Sequence, residues 1–417
     1  MSSSFRNAGT GALILLSIGC GPAALAAETY FIPRITTSAE WDSNREMIAD
    51  PNLSSTSTSY RAEIGARIGR VTPRSDMEVR PRIVAQEYPD RSGVDPVTGY
   101  LDLWTIFRTL KGEYSLLGRF SRVDTLTAEY GQAGFDPFNP GTPDIQDSGV
   151  IFVRNTRTAM QVRPDFRYDL SERNALEAQL RFEKVSYSVN VPGSNVGYDN
   201  WRAGFGFRRQ LVEKTYLGIG PYAARFESDD GANKTDSYGV AIDLGHRWSE
   251  TSDTRITLST EHNNATEFQP VRVEQSTNNW GLEIYGHRRN RVGGVTYRIG
   301  RLLEPTSLGD RRTIDLIQVQ YNRPLSARTY FSGAVRLSRE RQLGSATGNN
   351  RDRALVDLTL GRALTRNWSV SLGYRFARSD DTVSNVANNH GALIELSYAG
   401  SASKEVSREA REQERRR

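Results

Sequence analysis

Cysteine is nearly absent: the 417 residues contain one, Cys20. A chain matured beyond that position has no thiol, so no disulfide framework can hold it and hydrogen bonds and burial must suffice. Histidine is almost as scarce. The four, His246, His262, His287 and His390, include no pair at zinc-ligand spacing with each other or with cysteine, so neither a metal nor any other cofactor is expected. Ser259 and His262 form the best local nucleophile and base pair, but three residues apart they fall on opposite faces of a strand, and no enzyme is predicted. Beyond the N-terminus no segment approaches 18 consecutive apolar residues, which excludes a helical membrane span. Lysine is confined to Lys111, Lys184, Lys214, Lys234 and Lys404, leaving arginine to carry the positive charge. The net charge of +5 is modest and spread, giving no case for nucleic acid.

The N-terminus has a pattern of its own. Arg6 precedes an apolar stretch that ends in Ala24-Leu25-Ala26, the layout of a secretory signal peptide over residues 1–26. Ser17-Ile18-Gly19-Cys20 raises lipidation of Cys20 as an alternative, since glycine precedes the cysteine, but serine stands where leucine is usual.

From Tyr60 onward the chain alternates. Tyr60, Ala62, Ile64, Ala66 and Ile68 oppose Arg61, Glu63, Gly65, Arg67 and Gly69, and Leu176, Ala178, Leu180 and Phe182 oppose Glu177, Gln179, Arg181 and Glu183. Trp368, Val370, Leu372, Tyr374 and Phe376 repeat the pattern near the end. A period of two is the strand signature. A transmembrane barrel reconciles it with negative mean hydropathy and 25% charged residues, because only every second side chain faces lipid.

Short joints at 72–75, 110–112, 170–174, 212–214, 249–253, 290–294, 323–327 and 364–367 alternate with longer polar connections. The long ones fall at 43–58, 89–98, 124–149, 190–195, 229–234, 263–274, 305–309, 344–350 and 380–388. The alternation predicts an all-β, antiparallel up-and-down barrel of about 18 strands over residues 28–399, with both ends on the short-turn, periplasmic side. Tyr30, Trp41, Tyr100, Trp104, Tyr168, Trp201, Trp248, Trp280, Tyr321 and Trp368 lie near strand ends, as interfacial girdles do. The location this implies is the outer membrane of a Gram-negative bacterium, with outer-membrane lipids, lipopolysaccharide and the barrel assembly machinery as partners.

The polar parity is dense in charge. It carries Arg61, Arg67, Arg80, Arg82, Arg163, Arg167, Arg181, Arg202, Arg208, Arg247, Arg255, Arg298, Arg336 and Arg375, interleaved with acids that include Glu177, Glu183, Asp243, Glu283 and Asp357. Such charges need water or each other. One reading is a ladder of ion pairs bracing the wall, and the other a lumen whose guanidinium groups hold carboxylate or phosphate on a solute. The longest connection, starting at Asp124 and containing Gly131, Gly134, Pro137, Pro140, Gly141 and Pro143, is a candidate to fold inward as a constriction, or else a plain surface loop. After the last strand, which ends on Tyr398, residues 400–417 form a polar tail rich in Arg and Glu.

The joints Tyr168-Asp169-Leu170-Ser171-Glu172-Arg173-Asn174, Tyr321-Asn322-Arg323-Pro324-Leu325-Ser326-Ala327 and Leu360-Gly361-Arg362-Ala363-Leu364-Thr365-Arg366-Asn367-Trp368 share a style, in which a strand end runs through a short polar turn into a new alternating strand. In this the mature chain resembles the outer-membrane β-barrel porin 2 family. The resemblance implies a conduit for an exopolysaccharide or capsule-type polymer, with periplasmic or lipoprotein components of an export system meeting the tail. A general or anion-preferring diffusion porin and a structural envelope barrel are the alternatives.

Overall fold

The structure is a computed structural model, which describes residues 27–400 apart from 51, 53, 55, 90–96, 129–132, 135–154, 190–194, 269–271, 307–308, 343–349 and 382–384. The predicted signal peptide and all of the tail beyond Gly400 lie outside the described residues.

The strands follow in chain order as β1 (Glu28–Asp42), β2 (Ser57–Val71), β3 (Ser75–Glu87), β4 (Val97–Arg108), β5 (Gly112–Asp124) and β6 (Thr156–Asp169). Next come β7 (Asn174–Tyr187), β8 (Tyr198–Val212), β9 (Thr215–Ser228), β10 (Asn233–Ser249), β11 (Ser252–Phe268) and β12 (Arg272–Asn290). The last six are β13 (Gly293–Pro305), β14 (Arg311–Pro324), β15 (Thr329–Gln342), β16 (Arg351–Ala363), β17 (Trp368–Asp381) and β18 (Asn385–Ala399). Each pairs antiparallel with its sequence neighbours, and β1 pairs with both β2 and β18, closing an 18-stranded sheet. Closure removes the edges that would leave backbone amides unsatisfied in lipid.

The pleat decides which residues face where. On β14, Ile317 and Val319 are 46% and 36% exposed, while Ile314 and Leu316 on the other parity are 1% and 3% exposed. The same holds on β2, where Ile64 and Ile68 are exposed and Glu63 is buried. Apolar side chains thus face outward and charges inward, the inverse of a water-soluble barrel. A closed barrel with this apolar belt is an outer-membrane protein of the Gram-negative type. Trp41, Tyr168, Trp201, Trp248, Trp280 and Trp368 lie on the exposed face. Tyr30 and Tyr100 do not: the Tyr30 hydroxyl donates to Glu78 and Arg82 stacks on the Tyr100 ring, so both point inward. Trp104 shares the parity of Tyr100 and leaves the girdle with it.

Every predicted short joint is a turn between paired strands. The long connections differ at two places. The segment expected as a loop at 263–274 is mostly strand, because β11 runs to Phe268 and β12 begins at Arg272, and β17 and β18 likewise reach Asp381 and Asn385. Beyond the lipid both faces of a strand meet water, so the alternation in hydropathy fades while the backbone ladder continues.

Inward glycines make room for rings. A Cβ on Gly245 would overlap the ring of Tyr216 on β9, which lies flat beneath the Arg208 guanidinium at 3.4 Å. Gly245→Val is expected to lower barrel stability by roughly 1–3 kcal/mol through overpacking. The measurement is the urea midpoint of refolding into micelles, which should fall while folded-band mobility on a cold gel is kept.

Candidate functional site

Every charged residue expected on the inner parity is found there, but most of them serve one another. Arg61 bonds Glu63 at 2.7 Å, Arg163 bonds Asp165 at 3.2 Å and Arg208 bonds Glu177 at 3.0 Å. Arg67 and Arg80 both converge on Glu78, which is 1% exposed. Arg298 holds Glu283 at 2.6 Å, and Arg375 holds Asp357 at 2.8 Å and Glu40 at 3.4 Å. Arg181 pairs with Glu183, whose other oxygen accepts from Asn200. Arg167 and Arg247 lie near the turn rim, where Arg167 bonds the exposed Asp169, and Arg336 sits on the inner face of β15. Most of this set is thus held in ion pairs along the wall.

Described residues of three connections lie against the inner face of the wall. In the connection after β5, a short helix α1 (Thr125–Ala128) follows Asp124, which is buried. Further on, Ala133 is fully buried against Ala334, Leu355 and Ala377 of the inner wall. Its amide donates to Asp357 Oδ2 at 2.8 Å, and Gln318 Nε2 donates to the carbonyls of Ala133 and Gly134 at 3.1 and 2.9 Å. These two residues lie inside the barrel. Gly131, Pro137, Pro140, Gly141 and Pro143 lie outside the described residues.

The β1–β2 connection meets the same wall. Asn44 closes it by bonding both the amide and the carbonyl of Ile48, and Arg45 reaches back to Glu40 and Asp42 at 3.0 Å each. Met47, in the left-handed region at φ 53°, packs on the Ala133 cluster. The tip of the β13–β14 hairpin also leans across the bore. Arg311, 5% exposed, bonds Ser237 at 2.6 Å, Glu261 at 3.1 Å and Asn263 at 3.3 Å, and Glu304 stands 3.5 Å from Arg181 on β7. Sequence reading missed Arg311, because it has the outward parity of its strand and reaches the lumen only where the hairpin bends.

Between the β13–β14 hairpin and the wall from β6 to β12 lies a chamber of about 230 Å³. Arg163, Arg181, Arg202, Arg255 and Arg298 line it, with Asp243, Glu261 and Glu283. Arg202 and Arg255 differ from the rest, for among the described residues neither has a carboxylate at salt-bridge distance. Arg202 stacks on the Tyr222 ring at 4.2 Å, and that tyrosine is anchored through its hydroxyl to Glu261 at 3.0 Å. Arg255 Nε is buried without a hydrogen-bond partner. Two cations in a site partly shielded from water therefore have donors to spare for an anion.

The acidic tip after β9 is a closed turn, with Asp230 accepting from Ser228 Oγ at 2.6 Å and from the Ala232 amide at 2.9 Å. Beside it burial, reinforced by Asp199 and Asp230 and opposed by Lys184, raises the Asp229 carboxyl above its ordinary value. Ser259 and His262 face opposite ways, His262 bonding the Asn278 side chain at 2.7 Å on the outer surface.

No family model matches the chain, so membership of the porin 2 family is not shown. No curated protein matches it either. Solved barrels do align over most of its length. OccK2 (OpdF) of Pseudomonas aeruginosa, solved with glucuronate, is 9% identical and aligns over 89% of this chain and 98% of its own, with a TM-score of 0.47. OccAB3 of Acinetobacter baumannii is 10% identical over 89% and 99%, with a TM-score of 0.44. The outer-membrane protein OpdK of Pseudomonas aeruginosa is 10% identical over 89% and 98%, with a TM-score of 0.43. The chain is similar to these solved proteins in outline, and its own strand pairing establishes the fold.

Proposed function

We propose that the barrel is a passive outer-membrane channel for acidic solutes, with Arg202 and Arg255 as its anion contacts. The observation that carries this reading is that, among the described residues, neither guanidinium has a carboxylate at salt-bridge distance, whereas Arg163, Arg181 and Arg298 in the same chamber do. A barrel of this strand count encloses an aqueous bore, and a guanidinium fork suits a carboxylate. Export of an acidic polymer, as the resemblance implies, would draw on the same arginines. The segments inside the bore favour single solutes over a polymer strand.

The test is conductance of the purified barrel in planar bilayers with galacturonate as the probe. Galacturonate is expected to lower the wild-type current. In Arg202→Gln/Arg255→Gln the half-blocking concentration should rise roughly tenfold, equivalent to about 1.4 kcal/mol. An unchanged block in the double variant removes the anion site, and a silent bilayer removes the channel. Block by polygalacturonate but not by the monomer would return the reading to polymer export.

A further inference from the structure

The barrel wall carries a seam. The β12–β13 ladder runs from Asn290–Gly293 at the turn to Leu282–Arg301 and stops there. Beyond that rung β12 continues to Arg272 along β11, whereas β13 continues with β14 to the Pro305–Arg311 rung. The two hairpin arms part because they follow different anchors. β12 keeps to the wall, while β13 and β14 are drawn into the bore by Arg311 on Glu261 and by Glu304 beside Arg181.

Cavities on the two sides of the wall meet at this seam. The arginine chamber inside and a groove of about 660 Å³ outside are both lined by Trp280, Leu282 and Arg301. The floor of the groove is apolar, with Ile299, Ile317 and Leu337 facing the lipid. Its rim, on the loop side of that floor, is charged. Arg301 and Arg341 share Asp315 at 2.6 and 2.9 Å, and Arg339 holds Asp352 at 2.7 Å. With Arg378 and Asp380 included, the rim sets Arg301, Arg339, Arg341 and Arg378 against Asp315, Asp352 and Asp380, a surplus of positive charge. An apolar floor below a cationic rim is complementary to an acyl chain carrying an anionic headgroup.

We propose that the β12–β13 seam is a lateral port, through which an anionic amphiphile of the outer leaflet passes between the groove and the arginine chamber. The chain lies on Ile299 and Ile317 while the headgroup moves from the rim arginines past Trp280 toward Arg202 and Arg255, so charge never crosses the apolar belt. Arg301, clasped to Asp315 and lying 4.5 Å over the Trp280 ring, is the closure that a headgroup phosphate displaces. The inner half of this route rests on the anion-binding reading of the chamber, and the seam and groove stand independently of it.

The experiment uses the full barrel in proteoliposomes containing a dodecyl phosphate with a diazirine in its chain, photolysed and mapped by peptide mass spectrometry. Adducts are expected at Trp280 and Leu282 and also on the inner face at Asn279, Gly281 and Leu302. In Arg339→Gln/Arg341→Gln, which removes rim charge and leaves the Arg301 closure in place, they should fall at least fivefold at the seam, while labelling of Ile64 on the far side stays constant. Labelling spread evenly around the outer face, with none at the inner positions, overturns the port. If the variant does not fold, the wild-type map decides alone. A barrel that labels at the inner seam but does not conduct keeps the port and sinks the channel, and one that conducts without seam labelling does the reverse.

Discussion

Replacing residues 129–154 by a short Gly-Ser link is expected to raise single-channel conductance by roughly threefold, because a wall of this strand count encloses far more bore than side chains alone can fill. The structural ground is the docking of Ala133 and Gly134 against β14, β15, β16 and β17. The Asp357 carboxylate accepts one amide and Gln318 spans two carbonyls, and Met47 closes over the same patch. Asp357 also bonds Arg375, so the wall contact and the loop contact share one carboxylate. Asp357→Ala combined with Gln318→Ala should reproduce part of the gain by releasing the loop without removing it. The measurement is the step size in 1 M potassium chloride together with the frequency of brief closures. An unchanged step in the excised form would place the constriction elsewhere, at the β13–β14 tip.

How much of this was legible beforehand differs between wall and site. The strands followed from hydropathy alternation, because each residue of a lipid-spanning strand sees either lipid or lumen and the two demand opposite chemistry, and their number followed from the alternation of short and long connections. The pattern failed where that contrast vanishes. Asn263 and Asn264 read as loop, yet the first bonds Ser237 and Arg311 inside while the second lies outside in the same strand. Tyr30, Tyr100 and Trp104 read as girdle because proximity to a strand end says nothing of parity, and their inward direction is set by register. The inner arginines were identified as a set, but which of them are spare was not, since that depends on cross-strand partners such as Glu177 for Arg208. The seam was invisible for a related reason. The residues from Trp280 to Arg301 alternate normally, and only the inward pull on the hairpin tip separates their strands.

That pull can be measured. Arg311→Leu is expected to destabilise the barrel by roughly 3–5 kcal/mol, the usual cost of leaving one member of a buried ion pair uncompensated. Glu261 is 6% exposed and would keep only the Tyr222 hydroxyl as a described partner, while Ser237 and Asn263 would lose a charged donor. The double variant Arg311→Leu/Glu261→Leu should recover much of the loss, since removing both charges leaves no buried carboxylate to solvate. Urea titration of micelle-refolded protein separates these outcomes, and equal loss in single and double variants would show that side-chain volume, not charge, ties the hairpin down. Conductance offers a second readout on the same proteins. A tip no longer anchored to β10 and β11 swings back toward the wall, so the double variant should both conduct more than wild type and label less at the inner seam positions, linking the width of the bore to the width of the seam.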